Sequence, residues 1–160
     1  MTPDEYVQRL TESLRRKMKL LNELFSFTQN QTDAINREDV ESLNNLIKDK
    51  QKRLDEIDKI DEEFNVYFLR LKQTLKVSNL DEIKDQDIKG IKELQGIIGN
   101  VMAKIKEISI QEKQNNIKAQ NLLNSIGNEI KKMNLGKKAD SGYNPPPIAQ
   151  PPAYFIDKKK

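Results

Sequence analysis

The sequence predicts an all-α fold: an elongated, antiparallel, coiled-coil-like three-helix bundle with a Pro-rich, extended C-terminal tail. Apolar residues recur at helical spacing through three long stretches, in a chain that is 36% hydrophobic and 33% charged. This pattern is typical of amphipathic helices with narrow apolar stripes. Five of the six prolines lie within residues 145–152, where they exclude a helix. We therefore expect a bundle over residues 1–136 and a flexible tail over residues 137–160.

The first helix is predicted over residues 3–36. Thr2 can cap it, Pro3 fits the first helical position, and Glu5 completes a capping box. One charged residue, Lys17, interrupts the core-facing stripe. The stripe consists of Val7, Leu10, Leu14, Leu21, Leu24, Thr28, Gln31 and Ile35.

The second helix is predicted over residues 40–77, with Asp39 as its cap. Because the connection from the first helix is short, the two helices should be antiparallel. Lys50 and Asp61 are polar exceptions within the second stripe. Its apolar members are Val40, Leu43, Ile47, Leu54, Ile57, Phe64, Phe68, Leu71 and Leu75.

The third helix is predicted over residues 87–134, with Asp87 as its cap and Gly136 as its C-terminal stop. Before it, Leu80 and Ile83 should lie on a short helical turn or loop that covers the end of the bundle. A polar break at residues 111–116 interrupts the third stripe. The apolar members on either side of the break are Ile91, Leu94, Ile98, Val101, Ile105, Ile108, Ile117, Ala119, Leu122, Leu123, Ile126, Ile130 and Met133.

Three glycines, Gly90, Gly96 and Gly99, fall in the first turns of this predicted third helix. One interpretation is a weaker helix start, because glycine in a helix is roughly 1 kcal/mol less favourable than alanine. The other is that small residues permit a close approach of a neighbouring helix. The sequence leaves both open.

The predicted helices differ in length, and this difference suggests a binding site. The third helix should run parallel to the first and exceed it by roughly 15 residues, or about 20 Å. The excess would project past the far end of the bundle with its apolar stripe uncovered, which is typical of an interaction surface. A partner protein, a second copy of the chain or the folded-back tail could cover it. The candidate residues are Leu122, Leu123, Ile126, Ile130 and Met133.

The tail carries large apolar residues among its prolines. They are Tyr143, Ile148, Tyr154, Phe155 and Ile156. The aromatic ones, Tyr143, Tyr154 and Phe155, are further candidates for partner binding. A purely solvating segment does not usually contain so many such groups. A docking tail and a disordered end with incidental aromatics are the two alternatives.

Composition argues against several classes of function. The chain has no cysteine and no histidine, which excludes thiol nucleophiles and histidine-based catalysis and removes the commonest metal ligands. We expect no enzyme and no catalytic, cofactor or metal site.

Charge and hydropathy argue against nucleic-acid binding and a membrane span. Residues 136–160 hold five lysines and two aspartates, so residues 1–135 carry 23 charges of each sign, unlike a nucleic-acid-binding surface. No apolar run approaches the ~20 residues of a membrane span, and the first residues do not resemble a signal peptide. We expect a cytoplasmic protein.

The order of these features resembles the FlgN family of flagellar type III export chaperones. In the first hairpin the similarity lies in the interruption at Asp39, in Leu43 and Ile47, and in the Lys50-Gln51-Lys52 segment. At the C-terminal end it lies in Gly136-Lys137-Lys138-Ala139, Tyr143 and the closing Tyr154-Phe155-Ile156-Asp157-Lys158-Lys159. The related FliT chaperones share the first hairpin pattern.

The resemblance implies a small cytoplasmic chaperone that binds the hook–filament junction proteins FlgK and FlgL and delivers them to the export apparatus. It also implies that substrate binds toward the C-terminal helical region. Two alternatives from other classes remain: a coiled-coil scaffold that self-associates, for example as a homodimer, and an adaptor that acts at a membrane or the export machinery through the basic tail.

Overall fold

The structure, a computed structural model, describes residues 1–83 and 88–141. Three long helices account for most of them: α1 (Pro3–Asn36), α2 (Val40–Leu75) and α3 (Ile91–Ser141). A short 3-10 turn covers Leu80–Glu82. The prediction of an all-α, three-helix fold is confirmed.

Hydrogen bonds of the expected kinds fix both ends of the first hairpin. At the start of α1, Thr2 Oγ1 accepts from the Glu5 N–H at 3.2 Å, and Glu5 Oε2 accepts from the Thr2 N–H at 3.0 Å. At the turn, Glu38 has a left-handed φ of 57°. Asp39 then caps α2 by accepting from the Ser42 hydroxyl at 2.7 Å and from its N–H at 3.0 Å. These two hydrogen bonds stabilise the charged carboxylate and hold the pKa of Asp39 below its usual value of 3.8. The bond from the hydroxyl has the larger effect.

The connection from α2 to α3 seals one end of the bundle. Helix α2 ends at Leu75, two residues before the predicted end, because Lys76 has a left-handed φ of 55° that closes the last turn. Leu80, Ile83 and Ile88 are buried against the helices. Residues 84–87, including the predicted cap Asp87, lie outside the described residues.

Helix α3 begins later than predicted, after Gly90 rather than before it. Gly90 has a φ of +84°, and a Cβ placed on it would lie 3.4 Å from Val7 Cγ1. A left-handed glycine at this position is a turn residue, so the helix starts at Ile91. A Cβ at Gly96 or Gly99 would meet nothing within 4 Å. Close helix approach at these two positions is therefore wrong, and the weaker-helix interpretation remains for them.

Helix α3 also ends later than predicted. It continues through Gly136 to Ser141, so the expected stop at Gly136 is wrong. One helical glycine is unfavourable by only about 1 kcal/mol. Since the residues that follow, Lys137-Lys138-Ala139, are good helix formers, they can offset that penalty.

Helix α1 lies between the other two and packs against both, whereas the backbones of α2 and α3 rarely approach each other. Side-chain contacts define the directions. Arg9 meets Tyr67 and Glu23 meets Arg53, so α2 is antiparallel to α1. Arg15 meets Glu93 and Thr32 meets Asn115, so α3 is parallel to α1.

The buried apolar residues form two separate clusters. The larger, which we call the proximal core, lies toward the α2–α3 connection and includes residues from all three helices. Its members are Val7, Leu10, Leu14, Leu20, Leu21, Leu24, Leu54, Ile57, Ile60, Leu71, Leu80, Ile83, Ile88, Ile91, Leu94, Val101 and Ile108. The smaller, which we call the distal core, lies beside the α1–α2 turn and consists of Ala34, Ile35, Leu43, Ile47 and Ala119, with Leu46 packed against it.

Candidate functional site

The far end of α3 extends beyond the hairpin that covers the rest of the helix. Ala119 is buried in the distal core with Ile35 and Leu43, next to the turn between α1 and α2. Between this residue and residue 135 no side chain is buried. We call residues 120–141 of α3 the overhang; at 1.5 Å per residue it is about 30 Å long.

The five helical candidates from the sequence all lie on the overhang. Leu122, Leu123, Ile126 and Ile130 are half-buried, and Met133 is 61% exposed. We call these five residues the overhang stripe.

The overhang stripe continues the core-facing side of α3. Ile108 and Ala119 are buried, and Ile126 and Met133 follow Ala119 at successive seven-residue intervals. Such spacings are close to whole numbers of turns, so these residues share one face of the helix. The face that is covered by α1 earlier in the helix therefore runs on beyond the end of α1.

The lysines within residues 120–135 lie away from this face, and one acidic residue, Glu129, lies at its edge, seven residues after Leu122. Glu129, Lys131 and Lys132 are exposed and are not members of the stripe. Within residues 120–135, one side-chain hydrogen bond is made, from Gln120 Nε2 to Asn124 Oδ1 at 3.3 Å. A predominantly apolar face of this kind can bind another apolar surface.

Ile117 does not belong to the stripe, although the sequence placed it there. It is 64% exposed. Because it precedes Ala119 by two residues, it lies about 200° around the helix from the buried face. The three candidates in the tail, Tyr143, Tyr154 and Phe155, lie outside the described residues.

A layer of buried polar groups separates the proximal core from the distal core. Lys50 of α2 is fully buried and forms an ion pair with Glu112 of α3, which is 3% exposed. Lys50 Nζ also donates to Gln31 Oε1 of α1 at 2.8 Å. Burial lowers the pKa of Lys50 to about 7, while the neighbouring carboxylate favours its charged form.

Amide and hydroxyl groups complete this layer between α1 and α3. Asn115 Nδ2 donates to the backbone carbonyl of Thr28 at 2.9 Å, and the Thr32 hydroxyl donates to Asn115 Oδ1 at 2.7 Å. Gln111 Nε2 donates to Thr32 Oγ1 at 3.0 Å. We call the set the polar layer: Thr28, Gln31, Thr32, Lys50, Gln111, Glu112 and Asn115.

The sequence shows charged residues at core-facing positions of this layer, but the apolar periodicity alone does not predict that they pair. Lys50 interrupts the stripe of α2, and Glu112 lies in the polar break of α3. Opposite charges at core-facing positions of different helices can pair when the helices bring them to one level. The same holds for Lys17 and Asp61, which pair at 2.7 Å with side chains 13% and 10% exposed.

In residues 1–83 and 88–141, no three or more His, Cys, Asp or Glu side chains lie together in a way that could hold a metal ion. Over that part of the chain, no helix combines the length and apolar character needed to cross a membrane. The overhang stripe thus remains the candidate site.

The chain matches a known protein family over most of its length. A family model described as FlgN protein matches residues 1–147. The matched region includes α1, α2, α3 and the whole overhang. No curated protein and no solved structure matches the chain.

Proposed function

The chain belongs to the FlgN family of flagellar export chaperones, and from this premise we propose that it binds hook–filament junction proteins through the overhang stripe. The proposed partners are FlgK-like and FlgL-like subunits in the cytoplasm, before their export. Binding would prevent their premature assembly, and the complex would then engage the export apparatus.

One observation supports the location of the site: the apolar face of α3 continues past the last residue that the hairpin buries. Ala119 is 5% exposed, whereas none of the five stripe residues after it is buried. Complete burial of a Leu, Ile or Met side chain is worth roughly 1.5–3 kcal/mol. A partner that covers this face would therefore gain a substantial part of its binding energy there.

The stripe has the dimensions and chemistry to receive an amphipathic helix. From Leu122 to Met133 it extends about three turns, and its residues follow the spacing of three and four that helix-in-groove complexes use. The partner helix would place its own apolar face against the stripe. In a junction protein that face would be needed for assembly, so the chaperone would hide it until export.

The tail would contribute to the same complex. Tyr143, Tyr154 and Phe155 follow the overhang in the chain, and extended proline-rich segments span about 3.1 Å per residue. We propose that these aromatic side chains act as clamps over the bound helix.

Substitution of Ile126 by aspartate tests the site. A carboxylate at the centre of an apolar interface is expected to weaken binding of a purified FlgK-like or FlgL-like subunit by ~100-fold or more, because burial of an unpaired charge is unfavourable. Circular dichroism should show an unchanged helical signal, since Ile126 lies outside the two cores.

Asn124→Asp is the matched control. Asn124 is exposed, lies two residues from Ile126 and therefore faces the opposite side of the helix. Its variant should bind as the unmodified chain does. Equal binding by Ile126→Asp and the unmodified chain would refute the site assignment.

Two further measurements distinguish the alternative functions. Sedimentation across a concentration series would reveal a stable oligomer without partner if the chain is a self-associating scaffold. Truncation after Gly136 would remove localisation while preserving junction-protein binding if the chain is an adaptor that acts through its basic tail. Either result would contradict the proposed chaperone role as stated.

A further inference from the structure

The bundle has two apolar cores of very different size. The proximal core contains seventeen buried residues and the distal core contains five. Because hydrophobic burial supplies most of the favourable free energy of folding, the distal end is held by much the weaker set of contacts. No member of one cluster belongs to the other.

The boundary between the cores is formed by the polar layer. Lys50, Glu112 and Gln31 lie there on three different helices, each at least 93% buried. If the distal end opened, these groups would exchange their mutual hydrogen bonds for bonds to water, an exchange with a small net free energy. Little apolar contact would be lost across the layer itself. Separation is therefore favoured at this level of the bundle over any level within the proximal core.

We propose that the polar layer divides the bundle into two cooperative units, and that the distal unit opens while the proximal unit stays folded. The distal unit consists of residues 32–49 of the hairpin and residues 113–135 of α3. Opening separates Ala119 from Ile35 and Leu43 and frees the base of the overhang.

Opening of the distal unit would also affect partner binding, an inference that rests on the proposed function. The overhang stripe begins three residues after Ala119, so detachment of Ala119 changes how the stripe is presented to a partner helix. The apolar side chains of Ile35, Leu43 and Ile47 become available next to it. The distal unit would then lengthen the binding face during partner capture.

Native-state hydrogen exchange of the full chain, without partner, tests the division. Amides of α2 at residues 43–49 are expected to exchange roughly 100-fold faster than those at residues 54–71. Their opening should depend on denaturant, because it exposes apolar surface, but less steeply than the global unfolding that exchanges residues 54–71. The change in exchange rate should occur as a step at the polar layer. A gradual increase from residue 71 toward the turn, without a step, is simple fraying and overturns the proposal.

A double substitution tests the cause of the step. Lys50→Met with Glu112→Leu replaces the ion pair by apolar groups and connects the two cores. Exchange of the distal amides should slow by at least ~10-fold, toward the proximal rate. If the protein folds and its step is unchanged, the polar layer is not the boundary.

The matched control is Lys17→Met with Asp61→Leu, which removes the largely buried ion pair inside the proximal unit. Distal exchange should be the same as in the unmodified chain. If this control removes the step as well, the effect is a general one and the proposal fails. Should the Lys50 and Glu112 double variant not fold, the presence or absence of the step in the unmodified chain still decides. None of these measurements involves a partner, so their outcome is independent of the Ile126→Asp result.

Discussion

Replacement of Lys50 by methionine should destabilise the bundle strongly. The substitution keeps the length of the side chain and removes its ammonium group. Glu112, 3% exposed, then loses its cation, and Gln31 Oε1 loses its hydrogen-bond donor. The buried carboxylate would keep only the long hydrogen bond from the Thr28 hydroxyl, at 3.4 Å, and would have no positive charge to stabilise it.

The magnitude follows from these contacts. Removal of one partner from a buried ion pair typically destabilises by 3–5 kcal/mol. For a chain of this size, 1 kcal/mol corresponds to about 2–4 °C in melting temperature. Lys50→Met should therefore melt roughly 10 °C or more below the unmodified chain.

The double variant Lys50→Met with Glu112→Leu should recover most of this loss. Replacement of a buried ion pair by apolar residues is often neutral, or stabilising by about 1–4 kcal/mol. Gln31 would still lack its donor, which opposes this gain by about 1–3 kcal/mol. The melting temperature should return to near that of the unmodified chain.

Thermal unfolding followed by circular dichroism at pH 6, where Lys50 carries its proton, measures both effects. Lys48→Met is the matched control: Lys48 is exposed on the same helix, and its variant should differ by no more than about 0.5 kcal/mol. The two side chains are not coupled in a buried pair if Lys50→Met has the same melting temperature as the unmodified chain. The same conclusion follows if the melting temperature of the double variant is as low as that of the single one.

Three smaller predictions concern the backbone, a cap and an isolated hydroxyl. Gly96→Ala and Gly99→Ala should each stabilise by about 0.5–1 kcal/mol in urea unfolding, whereas Gly90→Ala should destabilise because its φ is +84°; the opposite order would contradict the assigned helix start. Ser13 Oγ is buried and has no hydrogen-bond partner within the part of the chain described, so Ser13→Ala should be neutral or stabilising by about 1 kcal/mol, and a clear loss would indicate an unseen partner. The lowered pKa of Asp39 means that its charged form adds stability above its ordinary pKa of 3.8 and that this contribution disappears as pH falls through the folded-state pKa. A pH series of melting temperatures should therefore show the difference between Asp39→Asn and the unmodified chain shrinking as the pH falls below 3.8, and a difference independent of pH would refute this.

The start and the turn of the first hairpin could be predicted because their causes are local. Thr2 and Glu5 make the expected capping box, and Asp39 makes the expected cap. Each of these contacts joins residues three apart, so the sequence alone contains both partners. Heptad spacing similarly identified the stripe through Leu122 and Ile126, since residues on one helix face recur at fixed intervals.

Predictions failed where a local signal was weak or had two meanings. Gly136 was expected to end α3, but its small penalty does not stop a helix whose next residues favour continuation. Gly90 was placed inside the helix and instead makes the turn before it, beside Val7. Ile117 was assigned to the stripe by its position after the polar break, yet its rotation around the helix turns it to solvent.

The sequence by itself determined that this protein consists of three amphipathic helices, where the first two begin, and that the apolar face of α3 is longer than α1. Only the tertiary structure decided which side chains meet across helices. Lys50 and Glu112 are 62 positions apart, and each alone is an unexplained polar residue on an apolar stripe. Their pairing depends on the level at which α2 and α3 lie against α1, because local spacing fixes the face of a helix that a residue occupies but not the residue it meets on another helix.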